Sequence, residues 1–177
     1  MYCTFEYPYH NINDRLYNII DNWSKTEIPG GAYLTPMNLH THHLEDINII
    51  LTWVKTCLQN SISHLSVGDE NKIYFKANEL KIDQCWGIMY NKGNKVIKHN
   101  HFPYALSFVY FVKTPKGSSP LIIEGKRIKA EEGKVVIFPG YVKHHAPKSR
   151  CDDRIVLSGN CAHIPKLPDH QAINIEE

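Results

Sequence analysis

Apolar residues recur in steps of three and four through two stretches early in the chain, then regroup into short blocks. Over residues 11–23 ("NINDRLYNIIDNW"), Ile12, Leu16, Ile19, Ile20 and Trp23 fall near helical spacing, with Asn11 or Asn13 placed to cap the start. Over residues 44–65, Leu44, Ile47, Leu51, Val54, Leu58, Ile62 and Leu65 form one continuous stripe, widened by Ile50 and Cys57. Each pattern predicts a helix with one face packed on a core. The intervening "KTEIPGGAYLTPMN" carries Pro29-Gly30-Gly31 and Pro36, residues that break regular structure, and reads as loop.

After Gly68 the texture changes. "KIYFKANELKIDQCWGIMY", "KVIKHNH", "YALSFVYFVKT", "PLIIEG", "KRIKA", "KVVIFPG" and "DRIVLSGN" are short and rich in β-branched and aromatic residues. Turn-forming segments separate them: "NKGN", "PKGSSP", "EEG" and "PGYVKHHAPKSR". Seven or eight strands at this spacing predict a closed or double-sheet β unit such as a jelly roll. The expected class is therefore α+β, a single domain over residues 1–177. Its parts are a helical and loop layer (1–67), a jelly-roll core (68–163) and a C-terminal tail (164–177).

Composition narrows the function classes. The formal net charge of +2, with no lysine or arginine run, gives no electrostatic case for nucleic acid or an anionic membrane. The first twenty residues lack a basic leader followed by an apolar run. No apolar run approaches the roughly 20 residues that span a bilayer. Five cysteines without CxxC spacing fit a reduced, cytoplasmic setting, and none sits in a nucleophile motif.

The chemistry concentrates in histidines. "KHNHFPY" holds His99 and His101, which on a strand point to one face. Two neutral imidazoles side by side suit a divalent transition metal such as iron, manganese, zinc or nickel. A third ligand would come from His144 or His145 in "KHH". Eleven histidines also make chance proximity the bland alternative. The cluster "LHTHHL", with His40, His42 and His43, has no partner spacing and reads as a solvated or capping segment.

Spacing sharpens the first group. Gly93 precedes His99-x-His101 by five intervening residues; Gly133 precedes Pro139 by five, and His144 follows five positions later. These intervals resemble the two cupin motifs, in which a glycine turn feeds a metal-bearing strand, and they favour His144 over His145. The match departs at two points: "FPYAL" lacks the expected glutamate, and Tyr141 stands where the second motif has glycine, with Gly140 beside it.

Arg154 lies ten positions beyond His144. With it the sequence resembles the 2-oxoglutarate- and Fe(II)-dependent oxygenases, whose arginine at about that distance grips the distal carboxylate of the co-substrate. More narrowly it is similar to a marine bacterial and phage branch carrying a tryptophan strand, "HxHP", "LSGVYY", "FP…H" and "RI…N". Here those elements read Trp86, "HNHFPYALSFVYFV", "VVIFPGYVKHH" and "RIVLSGN", over residues 83–162. The resemblance implies a double-stranded β-helix, Fe(II) on His99, His101 and His144, and 2-oxoglutarate on Arg154. Tyr90, Tyr110 and Ser158 are candidates to assist it. A guanidinium suits the last role as a permanently charged bidentate clamp.

Three departures accompany the resemblance. His101 stands where the wider superfamily has a carboxylate, and Glu124, Asp152 and Asp153 are nearby acids by sequence. Val156 replaces a small polar residue, and Phe108 replaces the glycine of "LSGVYY". The leading expectation is a hydroxylase. The alternatives are a cupin-type metalloprotein without 2-oxoglutarate and a non-catalytic β-sandwich binding module. The substrate, small molecule or peptide, is not specified, and the oligomeric state is open, a homodimer included.

Overall fold

The computed structural model describes residues 1–9, 11–65 and 77–164. Thirteen elements of regular α and β structure are described. They run β1 (Cys3–Glu6), α1 (Ile12–Asn22), β2 (Thr26–Glu27), β3 (Tyr33–Leu34), α2 (Glu45–Leu65), β4 (Leu80–Tyr90), β5 (Val96–His99) and β6 (Leu106–Lys113). The chain continues with β7 (Leu121–Ile123), β8 (Lys126–Ile128), β9 (Lys134–Pro139), β10 (His144–Ala146) and β11 (Arg154–His163). A seven-stranded sheet has the order β1-β9-β6-β11-β4-β3-β2, and a four-stranded sheet the order β5-β10-β7-β8. Every pairing between these strands is antiparallel.

The large sheet is buried on both faces, which is why β6 reads as an unbroken apolar run rather than an alternating one. Its outer face carries Tyr110, Val112, Ile137, Ile155 and Leu157, packed against Leu16 and Ile20 of α1 and Ile47, Ile50, Val54 and Leu58 of α2. Its inner face carries Trp86, Ile88, Val109, Phe111, Phe138 and Val156 against Leu121, Ile123, Ile128 and Ala146 of the small sheet. Each fully buried side chain of this size contributes roughly 1.5–3 kcal/mol, so two such layers hold three tiers together without a disulfide; all five cysteines are free.

Both helices form where the apolar spacing places them, α2 one residue inside the expected start. The cap differs. Asn11 occupies the N-cap position without a side-chain hydrogen bond. Asn13 is buried within the first turn, its Oδ1 accepting the Tyr110 hydroxyl at 2.6 Å. The 1–67 layer also supplies strands that its sequence does not announce: β1 extends the large sheet along β9, and β2 and β3 extend it along β4. These are two to four residues long, too short for alternation to stand out, and pairing with a formed sheet edge is what orders them. A further strand, β10, lies inside the segment expected to be a turn, and joins β5 to β7. The expected strand residues 72–76 and the tail beyond residue 164 lie outside the described residues. In "LHTHHL" a short 3-10 turn covers Leu39–Thr41, with His42 and His43 exposed as expected. No helix among the described residues is long and apolar enough to cross a membrane.

Gly87 sets how closely α1 approaches the sheet. A Cβ there would lie 2.5 Å from Cγ2 of Ile20, which is fully buried. Gly87→Ala is expected to lower the unfolding free energy by about 1–3 kcal/mol in a urea titration. Adding Ile20→Ala should cost less than the sum of the two single changes, because it removes the atoms that clash.

Candidate metal centre

The site is built where the two sheets meet. On the small sheet β5 and β10 pair so that His99 lies directly opposite His144. β5 ends at His99, so strand alternation does not bring in His101. The following loop does, held by backbone hydrogen bonds from His101 N to Gly140 O (2.7 Å), Gly140 N to Ala105 O (3.1 Å) and Tyr104 N to His101 O (2.9 Å). A Cβ on Gly140 would sit 2.1 Å from the Tyr104 carbonyl oxygen, so the close approach requires glycine. Gly140 therefore serves here next to the position where the cupin pattern has its glycine.

Each of the three imidazoles offers one nitrogen, and these lie within 4.8 Å of one another. Ring centroids are 4.9 Å apart for His99–His101, 4.4 Å for His99–His144 and 5.0 Å for His101–His144. Burial pushes the pKa of His101 down to about 4, with the neighbouring His99 adding to the effect, and that of His144 down to about 3. Both rings are thus neutral at neutral pH and carry a free lone pair. The Nδ1 atoms of His99 and His144 lie 2.8 and 3.1 Å from the carbonyl oxygens of Ile97 and Val142. A carbonyl only accepts, so each Nδ1 bears the proton and each Nε2 is left as a ligand atom. Three imidazoles so arranged can hold a divalent transition-metal ion.

They open onto a cavity of about 380 Å³ between the sheets. It lies against the inner face of β4, β11 and β6, where registered residues form rows: Gln84–Asn160–Ser107, then Trp86–Ser158–Val109, then Ile88–Val156–Phe111, then Tyr90–Arg154. Of these, Trp86, Ser158, Val109, Ile88, Val156, Tyr90 and Arg154 line the cavity itself. The row nearest His101 is polar and the next two mostly apolar. The last ends in a guanidinium that is only 1 % exposed. Arg154 stacks on Tyr90, with Cζ 4.2 Å from the ring centroid, and lies 5.6 Å from that of Phe111. Its Nε and Nη1 have no hydrogen-bond partner among the described residues. Aromatic faces offset only part of the cost of burying a charge, typically about 0.5–2 kcal/mol. A buried charge without a counter-ion costs several kcal/mol, so the site is electrostatically incomplete without an anion.

The structure brings His99, His101, His144, Arg154, Tyr90 and Ser158 to this one cavity. His145 also borders it but lies outside the ligand group. Tyr110 is not there: it projects from the outer face of β6 into the helix layer, bonded to Asn13 and edge-on to Trp53. With β6 buried on both sides, the sequence offers no alternation from which to assign its face. None of the three acids borders the cavity. Glu124 pairs with the N-terminal amine, Asp152 accepts from Lys92 N, and Asp153 pairs with Lys113. Two polar groups went unassigned in the sequence. Trp86 Nε1 is buried at the cavity without a partner among the described residues, and Asn160 reaches to 3.4 Å from His101 Nδ1. Asn160 was detectable by period, since six residues from Arg154 returns a strand to the same face.

No family model matches the sequence, and no curated protein matches it. Solved structures do. A Pseudomonas putida prolyl-4-hydroxylase superposes with a TM-score of 0.63 at 14% identity, covering 92% of this chain and 92% of that one. A prolyl hydroxylase from Trichoplax adhaerens, in complex with a hypoxia inducible factor oxygen degradation domain peptide fragment, gives 0.65 at 11% identity over 90% and 82%. The epimerase SnoN from nogalamycin biosynthesis, in complex with Fe3+, alpha ketoglutarate and nogalamycin RO, gives 0.67 at 10% identity over 99% and 89%. At such identities the likeness is one of fold, and it spans nearly the whole chain: this protein is similar in architecture to solved members of the 2OG-Fe(II) oxygenases.

Proposed function

We propose that the protein is an Fe(II)- and 2-oxoglutarate-dependent oxygenase, a hydroxylase, with His99, His101 and His144 as metal ligands and Arg154 as the co-substrate clamp. The observation that carries this reading is the buried guanidinium, without a counter-ion among the described residues, in the same cavity as the three-histidine group. A dicarboxylate with a 2-oxo acid at one end matches both: one end chelates a metal, and the distal carboxylate completes Arg154. On this reading the two sheets are the halves of a double-stranded β-helix, formed as one domain with its helical layer. The sequence elements shared with the marine and phage branch are its working parts.

Bound iron would supply the redox chemistry, in which oxygen and 2-oxoglutarate give succinate and carbon dioxide while a C–H bond becomes C–OH. The residues of this chain bind and orient. His99 and His144 present Nε2 lone pairs. The guanidinium of Arg154 donates a paired set of hydrogen bonds while Tyr90 holds its plane. Ser158 offers the hydroxyl that Val156 lacks. The apolar rows of Ile88, Val109, Phe111 and Val156 keep water from the reacting groups. The substrate is a peptide or a small molecule, a reading supported by the neighbours solved in complex with a peptide fragment and with nogalamycin RO. One observation favours a second reading, a cupin-type metalloprotein that uses no 2-oxo acid: the third ligand is histidine rather than carboxylate. The unpaired Arg154 weighs against it.

A Co(II) titration should find a single site. Ala substitution of His99, His101 or His144 should weaken it about tenfold or more, while His145→Ala leaves it unchanged. Loss of affinity on His145→Ala alone would reassign the third ligand. With metal present, 2-oxoglutarate should bind to the wild type in calorimetry. Arg154→Ala should weaken it by roughly 30-fold or more, since removing one partner of a buried charge pair costs about 2–5 kcal/mol. Arg154→Lys should lie between, keeping the charge but losing the fork. Equal 2-oxoglutarate binding by wild type and Arg154→Ala would overturn the co-substrate assignment.

A further inference from the structure

The three histidines are not equivalently held. His99 and His144 each face a backbone carbonyl through Nδ1. His101 instead faces a side-chain amide, Nδ2 of Asn160, at 3.4 Å. That amide is buried and tied on both flanks in its row across β4, β11 and β6. Asn160 Nδ2 donates to Gln84 Oε1 at 2.9 Å, and Ser107 Oγ donates to Asn160 Oδ1 at 2.8 Å. An amide NH2 can only donate, so in this arrangement Nδ1 of His101 is the acceptor and the ring proton sits on Nε2. The tautomer is the opposite of that on His99 and His144: with Nδ1 taken up by the amide, Nε2 is the nitrogen left to ligate, and it carries a proton where a metal ligand needs a lone pair.

Resting on the metal site proposed above, we propose that Asn160 and Gln84 form an amide relay that governs whether His101 ligates the metal. As they lie, the relay holds His101 back. When both amides turn over, Asn160 Oδ1 accepts the Nδ1 proton, Gln84 donates to Asn160, and the Ser107 hydroxyl follows because it can accept as readily as donate. His101 then matches the other two histidines, with the amide oxygen of Asn160 in the place that Ile97 O and Val142 O occupy for them. Asn160 and Gln84 are positioning residues: they act through His101.

Two isosteric acid substitutions separate this role from a simple added charge. Asn160→Asp can only accept and keeps His101 in the ligating tautomer, so Co(II) affinity should rise about tenfold or more. Gln84→Glu can only accept from Asn160 and holds the relay in its donating sense, so affinity should fall by a similar factor. A through-space effect of the new negative charge would strengthen both. In a His101→Ala background the opposite shifts should vanish, and the intensity of the Co(II) visible bands should report the gain or loss of one ligand. Should one variant fail to fold, the sign of the other, measured with and without His101, still decides. Shifts of the same sign, no shift in either variant, or shifts that persist without His101 would overturn the relay while leaving the metal site standing. Wild-type protein that takes up no Co(II) would overturn the metal site itself, and the relay with it.

Discussion

β11 is hydrogen-bonded along both edges, to β4 and to β6, and its two faces carry opposite chemistry. Ile155, Leu157 and Cys161 point outward into the helix layer, while Arg154, Ser158 and Asn160 point inward with Val156. Because side chains alternate strictly along a strand, the outer apolar set and the inner functional set are one constraint. A slip of one residue would bury Arg154 under the helices and turn Ile155 and Leu157 into the cavity. Ten registered pairs with β4 and seven with β6 oppose such a slip. The helices therefore matter to the site even though neither contributes a ligand.

The inner face is ordered along its length. The amide row lies at the histidine end, the aliphatic and aromatic rows in the middle, and the Tyr90–Arg154 pair at the far end. The proposed 2-oxoglutarate would lie along this gradient, between the histidines and Arg154 and against apolar walls. The same order explains how a guanidinium without a counter-ion among the described residues is tolerated. Tyr90 and Phe111 offset part of its desolvation, and the proposed co-substrate would supply the remainder. The histidine end is adjustable by contrast, because side-chain amides can reverse donor and acceptor where backbone carbonyls cannot.

Much of this was legible from residues alone. The stripe from Leu44 to Leu65 marked α2, and the β-branched blocks marked β4 to β9 and β11. The intervals from Gly93 to His101 and from Gly133 to His144 marked the three histidines that the fold brings together, and the step to Arg154 marked the arginine of the same cavity. What escaped had physical causes. β1, β2, β3 and β10 are too short to show a period and exist because a neighbouring edge pairs with them. Tyr110, a candidate to assist the co-substrate, lies instead in the helix layer, and with β6 apolar on both faces no alternation reveals this. Glu124, Asp152 and Asp153, nearby by sequence, have side chains engaged elsewhere, which spacing along the chain does not reveal.

The sequence by itself determined which segments become helices and strands, and which residue types stand at the spacings a metal and a carboxylate require. Those are local properties, carried by residues within a few positions of one another. The tertiary structure decided which face each inner residue takes, how the loop after β5 swings His101 toward Gly140, and that an amide rather than an acid stands behind it. Asn160 meets His101 across 59 positions of chain and Gln84 across 76. Contacts of that span follow from the order of strands in a sheet, which no local pattern records.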